Sequence, residues 1–358
     1  MEKDFLLPDI LKGLNRLCTR VDHINNAQID FSNTLTQLRA QIESVLWKVS
    51  VPVSYIKNDW NRSCLDKFLS ELEKLNYEEC YKKLIANLDD QSITIINKIL
   101  GRIAVSKNHE GVVYDLFDND EIEIIKRLPQ TFWNCILRLN DNCYAYHNYF
   151  LPINHFEVCV FRDKHEIENT NKDYFKDKDI IDAGGFIGDS AIIFSDYTSK
   201  NVYSFEPTKE NYEIMLKTLK LNNKKNVIPV NIGLGDKKEE KQIFFDGSAS
   251  GLFETISTKR KENIQLITLD SYVEEHNLNV GLIKSDLEGF EQPFLRGAEK
   301  TIKRQKPTLL ISIYHCADDF FKIKPMIESW NLGYKFKVVK PVDGNVLLET
   351  MLIAEIEK

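Results

Sequence analysis

The chain has 358 residues, 43% hydrophobic and 28% charged, with only 15 Gly and 10 Pro, which excludes a disordered or collagen-like polypeptide. Lys and Arg number 47 against 54 Asp and Glu, a formal net charge of −7, so the basic face of a nucleic-acid binder is not expected. No run of about 18 residues is both uncharged and mainly apolar, so no membrane span is expected, and MEKDFLLPDILKGLNR lacks the features of a signal peptide.

In chain order, residues 1–52 read as one long heptad helix. Ile10, Leu14, Leu17, Val21, Ile24, Gln28, Phe31, Leu35, Leu38, Ile42, Val45 and Val49 alternate spacings of four and three. Pro52 marks its end. A lone helix cannot bury that stripe. It packs either on a second copy, as a coiled coil that makes the protein a homo-oligomer, or on the rest of the chain. Residues 53–110 are expected to be helical too, with Ile96, Ile99, Leu100 and Ile103 on one face. The spacing of residues 113–128 predicts one more helix. From Asn134 the texture changes to aromatic and β-branched residues broken by turn formers, which predicts short strands and completes a segment spanning 111–178. From Asp179 to the end, strands and helices alternate, which predicts an α/β fold with a mainly parallel sheet. The seven cysteines are odd in number and form no C-x-x-C pair, which argues against a disulfide framework or a zinc site and for a cytoplasmic location.

The sharpest motif is DIIDAGGFIGDS, residues 179–190. A short strand ends at Asp182 and leads through Gly184, Gly185 and Gly188 into a helix, with Asp189 and Ser190 at its start. Such glycines let a ligand approach the backbone closely. The motif departs from the dinucleotide fingerprint, because Phe186 stands where the second glycine belongs and would hinder a pyrophosphate. Asp182 would repel a pyrophosphate as well, but could hold a cationic amino-acid head, directly or through water. The expected ligand is a nucleoside with an amino-acid tail, S-adenosylmethionine. Glu206 ends the next strand, NVYSFEP, 22 positions after Gly184, where a carboxylate can accept from both ribose hydroxyls. Asn231, at the end of the third strand, is a candidate for the adenine ring, although backbone groups would serve equally well.

The fourth strand runs into LIKSDLEGFEQPFLRGAEK, residues 282–300. Lys284, Asp286, Glu288 and Glu291 lie at the sheet edge where open α/β folds bind ligands. Charges so close can tune one another's pKa values, as a general base requires. The fifth strand, TLLISIYH, brings Tyr314 and His315 to the same edge, and His315 could act as base or orient a hydroxyl. Asp286, Glu288, His315 and Lys284 form the catalytic candidate set, and Asp286 also faces the cofactor. The first three could ligate a divalent metal, but no spacing demands one and none is assigned. The aromatic run YAYHNYFLP, residues 144–152, fits an acceptor cleft and core packing equally well.

DAGGFIGDS, SFEP, KSDLEGFEQPFLRGA and ISIYH, in this order, resemble the FkbM family of S-adenosylmethionine-dependent methyltransferases over roughly residues 110–356. The resemblance implies a class I methyltransferase fold, a Rossmann-like seven-stranded sheet whose last strand is antiparallel, with the domain proper over 179–358. It also implies O-methylation of a sugar, glycan precursor or secondary metabolite. Two other readings compete: a nicotinamide-dependent sugar-modifying enzyme, and an oligomeric scaffold with a vestigial nucleoside-binding domain.

Overall fold

The computed structural model describes residues 59–107, 116–246, 249–251 and 260–357. The heptad seam of residues 10–49, and with it the oligomer contact assigned to it, lies outside them. The described residues from 59 onward belong to one compact unit. Among them no helix is long and apolar enough to cross a membrane.

Three helices come first: α1 (Asp59–Leu72), α2 (Tyr77–Ile85) and α3 (Asp90–Lys107). On α3 the expected face of Ile96, Ile99, Leu100 and Ile103 is buried. These helices share a core with the α/β body, where Phe68 meets Phe320 edge-on at 5.5 Å. Helix α4 (Asn119–Thr131) begins later than the spacing predicts. A capping box sets its start: the Asp118 carboxylate accepts from the Glu121 N–H at 3.0 Å, and Glu121 accepts from the Asp118 N–H at 2.9 Å. The aromatic stretch forms a small antiparallel sheet of β1 (Leu137–Asn140), β2 (Cys143–Tyr146) and β3 (Tyr149–Leu151). Tyr146, Tyr149 and Leu151 are buried in the core, so this run is packing and not a cleft wall.

Two short helices, α5 (Val158–Phe161) and α6 (Lys172–Phe175), lead into the main sheet. Its elements follow as β4 (Asp179–Ala183), α7 (Asp189–Phe194), β5 (Val202–Phe205), α8 (Lys209–Leu221) and β6 (Val227–Val230). An inserted sheet comes next, built from β7 (Gly233–Leu234), β8 (Glu239–Asp246), β9 (Ala249–Gly251) and β10 (Arg260–Ile267). The chain returns through α9 (Leu269–Glu275) to β11 (Val280–Ser285), α10 (Glu291–Gly297), α11 (Glu299–Gln305), β12 (Thr308–Ser312), α12 (Ala317–Ser329), β13 (Tyr334–Val339) and β14 (Met351–Ile356).

The seven strands of the main sheet lie in the order β13-β14-β12-β11-β4-β5-β6. β14 is antiparallel to both neighbours and the other pairs are parallel. This is the α/β architecture that the motifs imply. Every residue of β11 and β12 is buried, as are Ile180, Ile181, Asp182 and Ala183 of β4. Such continuous apolar strands fit a sheet covered on both faces. Each fully buried Ile or Leu here contributes about 1.5–3 kcal/mol. The edge strand β13 is blunted by α3, whose Ser92 hydroxyl accepts from the Val338 N–H at 2.9 Å. The strand order reverses between β4 and β11, which opens a crevice beyond their C-terminal ends.

Candidate active site

The crevice holds a cavity whose wall includes Gly184, Glu206, Lys284 and Asp286. The loops leaving β4 and β11 touch there: the Asp286 N–H donates to the Ala183 carbonyl at 3.0 Å. Gly184 has φ +83°, and a Cβ on it would lie 1.8 Å from the Asp286 carbonyl oxygen. Only glycine permits that approach. Gly185 and Gly188 differ from expectation, because they do not line the cavity. A Cβ on Gly185 would meet Ser204 Oγ at 2.0 Å, and one on Gly188 would meet Met215 Cγ at 2.8 Å. Their smallness serves packing against β5 and α8.

Glu206 follows β5 and is 5% exposed. Its carboxylate accepts from the Thr208 N–H at 2.8 Å, from the Thr208 hydroxyl at 2.6 Å and from the Phe186 N–H at 3.1 Å. Burial pushes its pKa up to about 7, against those hydrogen bonds. The anchored carboxylate sits on the cavity wall, where a ligand hydroxyl can compete for the Oε2 side that carries the single Phe186 bond. Beside it the inserted sheet supplies an apolar wall, Ile243, Ile264 and Leu266, with Phe290 packed against them. A flat apolar slot next to an anchored acceptor suits the base and ribose of a nucleoside. Asn231 is not part of that wall. It is exposed and donates to the carbonyls of Glu206 at 2.9 Å and Pro207 at 3.1 Å, which fixes the turn carrying Glu206.

Across β4 lies the charged half. Asp182 is fully buried and off the wall, contrary to the expectation that it faces a ligand. Strand register explains why: Asp182 stands opposite Lys284 on β11 and Ser204 on β5. It accepts from the Ser204 hydroxyl at 2.6 Å and lies 3.2 Å from Lys284 Nζ, which also donates to the Gly184 carbonyl at 2.8 Å. Burial opposes the charge on Lys284, but Asp182, Asp286 and Asp189 more than offset it and raise its pKa. Asp189 and Ser190 both reach the wall. Asp189 is pushed up to about 7 by burial and by Glu157.

Asp286 is a fixed anion. Burial opposes its charge, but His315, 3.1 Å away, and Lys284 outweigh that and hold the carboxyl well below its usual range. A carboxylate held so low is a poor proton acceptor at neutral pH, contrary to its expected role as base. His315 is corrected too. Its Nε2 faces Asp286 and its Nδ1 lies 3.1 Å from Glu291, whose Oε1 accepts from the Leu287 N–H at 2.6 Å. Burial opposes its charge, but Glu291 and Asp286 raise its pKa well above the usual histidine value. It is an imidazolium held off the cavity wall. Asp286, Glu291 and His315 have ligand atoms within 4.8 Å of one another, a different trio from the one that sequence singles out for a metal. Their carboxylates face different nitrogens of the ring, which makes an ion-pair chain when the ring is protonated.

Glu288 is the acid suited to proton transfer. It lies on the wall, its side chain is 38% exposed, and burial together with Asp286 and Glu291 lifts it to about 7 despite His315. Sequence reasoning missed Glu157, His165 and Glu349, which complete this half of the wall with Tyr314. The Tyr314 hydroxyl donates to Glu349 at 3.2 Å, and burial and Glu157 push Glu349 up to about 8. Their positions span almost 200 residues, and no local motif marks them. Phe186, Glu288 and Glu349 all have positive φ, at 43°, 54° and 63°. Such backbone clusters where function requires it.

Residues 182–336 match the family model of the methyltransferase FkbM domain. Among solved structures, the chain is similar to methyltransferase FkbM from Methylobacillus flagellatus KT, at 17% identity and a TM-score of 0.42. That match covers 74% of this chain and 61% of the other, so the chain spans less than two thirds of that protein. A Streptococcus mutans protein described as a candidate methyltransferase, in complex with SAH, matches at 12% identity and a TM-score of 0.36, over 56% of this chain and 98% of the other. Fibrillarin from Aeropyrum pernix, with natively bound S-adenosyl-L-methionine, matches at 15% identity and a TM-score of 0.30, over 50% of this chain and 66% of the other. No curated protein matches the chain.

Proposed function

We propose, from the FkbM methyltransferase domain that this chain carries at residues 182–336, that the protein is an S-adenosylmethionine-dependent O-methyltransferase. The observation that carries the reading is the anchored, buried Glu206 beside an apolar slot, set across β4 from the charged group at Asp286. Bound S-adenosylmethionine supplies an electrophilic methyl group. Glu206 accepts hydrogen bonds from the ribose hydroxyls, and Ile243, Ile264 and Leu266 cover the base. Gly184 lets the β4 loop pass close against the Asp286 carbonyl and so forms part of the cavity wall between the two halves.

On the acceptor side, Glu288 takes the proton from the attacking hydroxyl. Asp286, held ionised by His315 and Lys284, accepts a hydrogen bond that orients the acceptor. Glu157 adds a further carboxyl to the wall, and Glu349, protonated up to about pH 8, adds a donor as well, a set matched to a polyhydroxylated molecule whose hydroxyls both donate and accept. A sugar, glycan precursor or hydroxylated secondary metabolite has that chemistry. The test is transfer of an isotope-labelled methyl group from S-adenosylmethionine into a panel of such acceptors. The expected product is a methyl ether. Label found only on nitrogen would overturn the O-methyl reading, and no transfer to any acceptor would count against the whole proposal.

A further inference from the structure

We infer that His165 holds the carboxylate of the cofactor's amino-acid tail through its Nδ1. The inference rests on the reading of S-adenosylmethionine as the cofactor.

His165 is 4% exposed and lines the same cavity as Glu206 and Asp286. Its Nε2 lies 2.8 Å from Ser190 Oγ. Its Nδ1 is buried and has no partner among the described residues. A buried polar atom without a partner is costly, and nearly all find one. The backbone carries a further cost: Lys164, His165 and Glu166 have φ of 52°, 51° and 58°, three consecutive residues in the left-handed region. The chain thus spends strain to place a ring whose Nδ1 has no hydrogen-bond partner among the described residues.

Charge selects the missing partner. Burial, and then the nearby Lys284 charge, push the His165 pKa down to about 3, so the ring is neutral. In the tautomer we infer, Ser190 donates to Nε2 and the single ring proton sits on Nδ1, which is then a donor. Its partner is therefore an acceptor, and Lys284 favours an anionic one. Asp189 and Asp286 on the same wall suit a cation beside it. A cation and an anion on adjacent atoms describe an α-amino acid. The nucleoside end belongs at Glu206 beyond β5 and the tail beyond β11, with β4 between them.

The experiment compares two nucleosides by calorimetry on the full chain at neutral pH. S-adenosylhomocysteine carries the tail, and 5′-methylthioadenosine lacks it. In the wild type the tail adds affinity. His165→Leu should weaken S-adenosylhomocysteine by about 10- to 100-fold, the scale of a hydrogen bond to a charged group, and leave 5′-methylthioadenosine unchanged. His165→Asn should keep most of the preference, because its amide nitrogen reaches the position of Nδ1. Equal weakening of both nucleosides, or of neither, in His165→Leu would overturn the inference. If that variant fails to fold, His165→Ala takes its place, and an undiminished preference for S-adenosylhomocysteine there would overturn the inference. A wild type that binds neither nucleoside would bring down the cofactor reading first and this inference with it.

Discussion

Two carboxylates at the same sheet edge, buried Glu206 after β5 and half-buried Asp286 after β11, are driven in opposite directions. The donors to Glu206 among the described residues are neutral, Thr208, the Phe186 N–H and Asn211, and burial lifts it to about 7. Asp286 has His315 and Lys284 as neighbours and stays ionised. Burial opposes the charge at both, and the cations beside Asp286 reverse the outcome there. A carboxyl with neutral donors is poised to meet neutral hydroxyls. One with cations is a permanent anion that orients but does not take a proton. Glu288, two residues from Asp286, lies between these cases: burial and then the nearby acids lift it to about 7 against His315.

The comparison breaks first if Glu288 is not the base. Glu288→Gln should cut turnover by about 10²- to 10⁴-fold with little change in cofactor affinity, as expected of general acid–base catalysis. In the wild type, turnover should rise with pH through about 7, as Glu288 loses its proton. Near-normal turnover in the variant would assign the role elsewhere.

The next effect is on stability. His315→Leu leaves Glu291 buried without its cation and Asp286 with Lys284 alone, and breaking a buried pair typically costs about 3–5 kcal/mol. Denaturant melts should show it, and a loss below about 1 kcal/mol would mean that the ion-pair chain is not formed. The smallest effect sharpens the Glu206 side. Its pKa of about 7 exceeds the ordinary value of 4.5, so between those values the native state holds a proton that the unfolded chain has lost. Stability of the ligand-free protein should fall as pH rises through that window. Asp189 and Glu349 act with the same sign. Glu206→Gln cannot titrate, so its melting temperature should fall less steeply with pH, and an unchanged slope would contradict the raised value.

Much of this was written locally in the chain. The alternation of strands and helices from Asp179 predicts the sheet, and DAGGFIGDS, SFEP and KSDLEGFE each lie within one loop of the edge they build. What sequence could not show is which partner the next strand offers. Asp182 reads as a ligand for a cationic head until register sets Lys284 and Ser204 beside it. His315 reads as a base until Glu291 and Asp286 occupy both of its nitrogens. Asn231 reads as a base contact until its amide is found on the Glu206 and Pro207 carbonyls. Glu157, His165 and Glu349 were invisible for a different reason: only the folded chain brings them to one wall. The inserted sheet read as no more than β-rich, yet its Ile243, Ile264 and Leu266 form the apolar wall.

The central claim is that the cavity holds a nucleoside cofactor by its ribose on Glu206. Calorimetric titration of the full chain with S-adenosylmethionine, with Glu206→Ala alongside, tests it most directly. The account predicts binding at one site in the wild type and an affinity at least about tenfold lower in the variant, the scale of a lost hydrogen bond to a charged group. Equal binding by both proteins would remove Glu206 from the site, and no binding by either would contradict the claim itself.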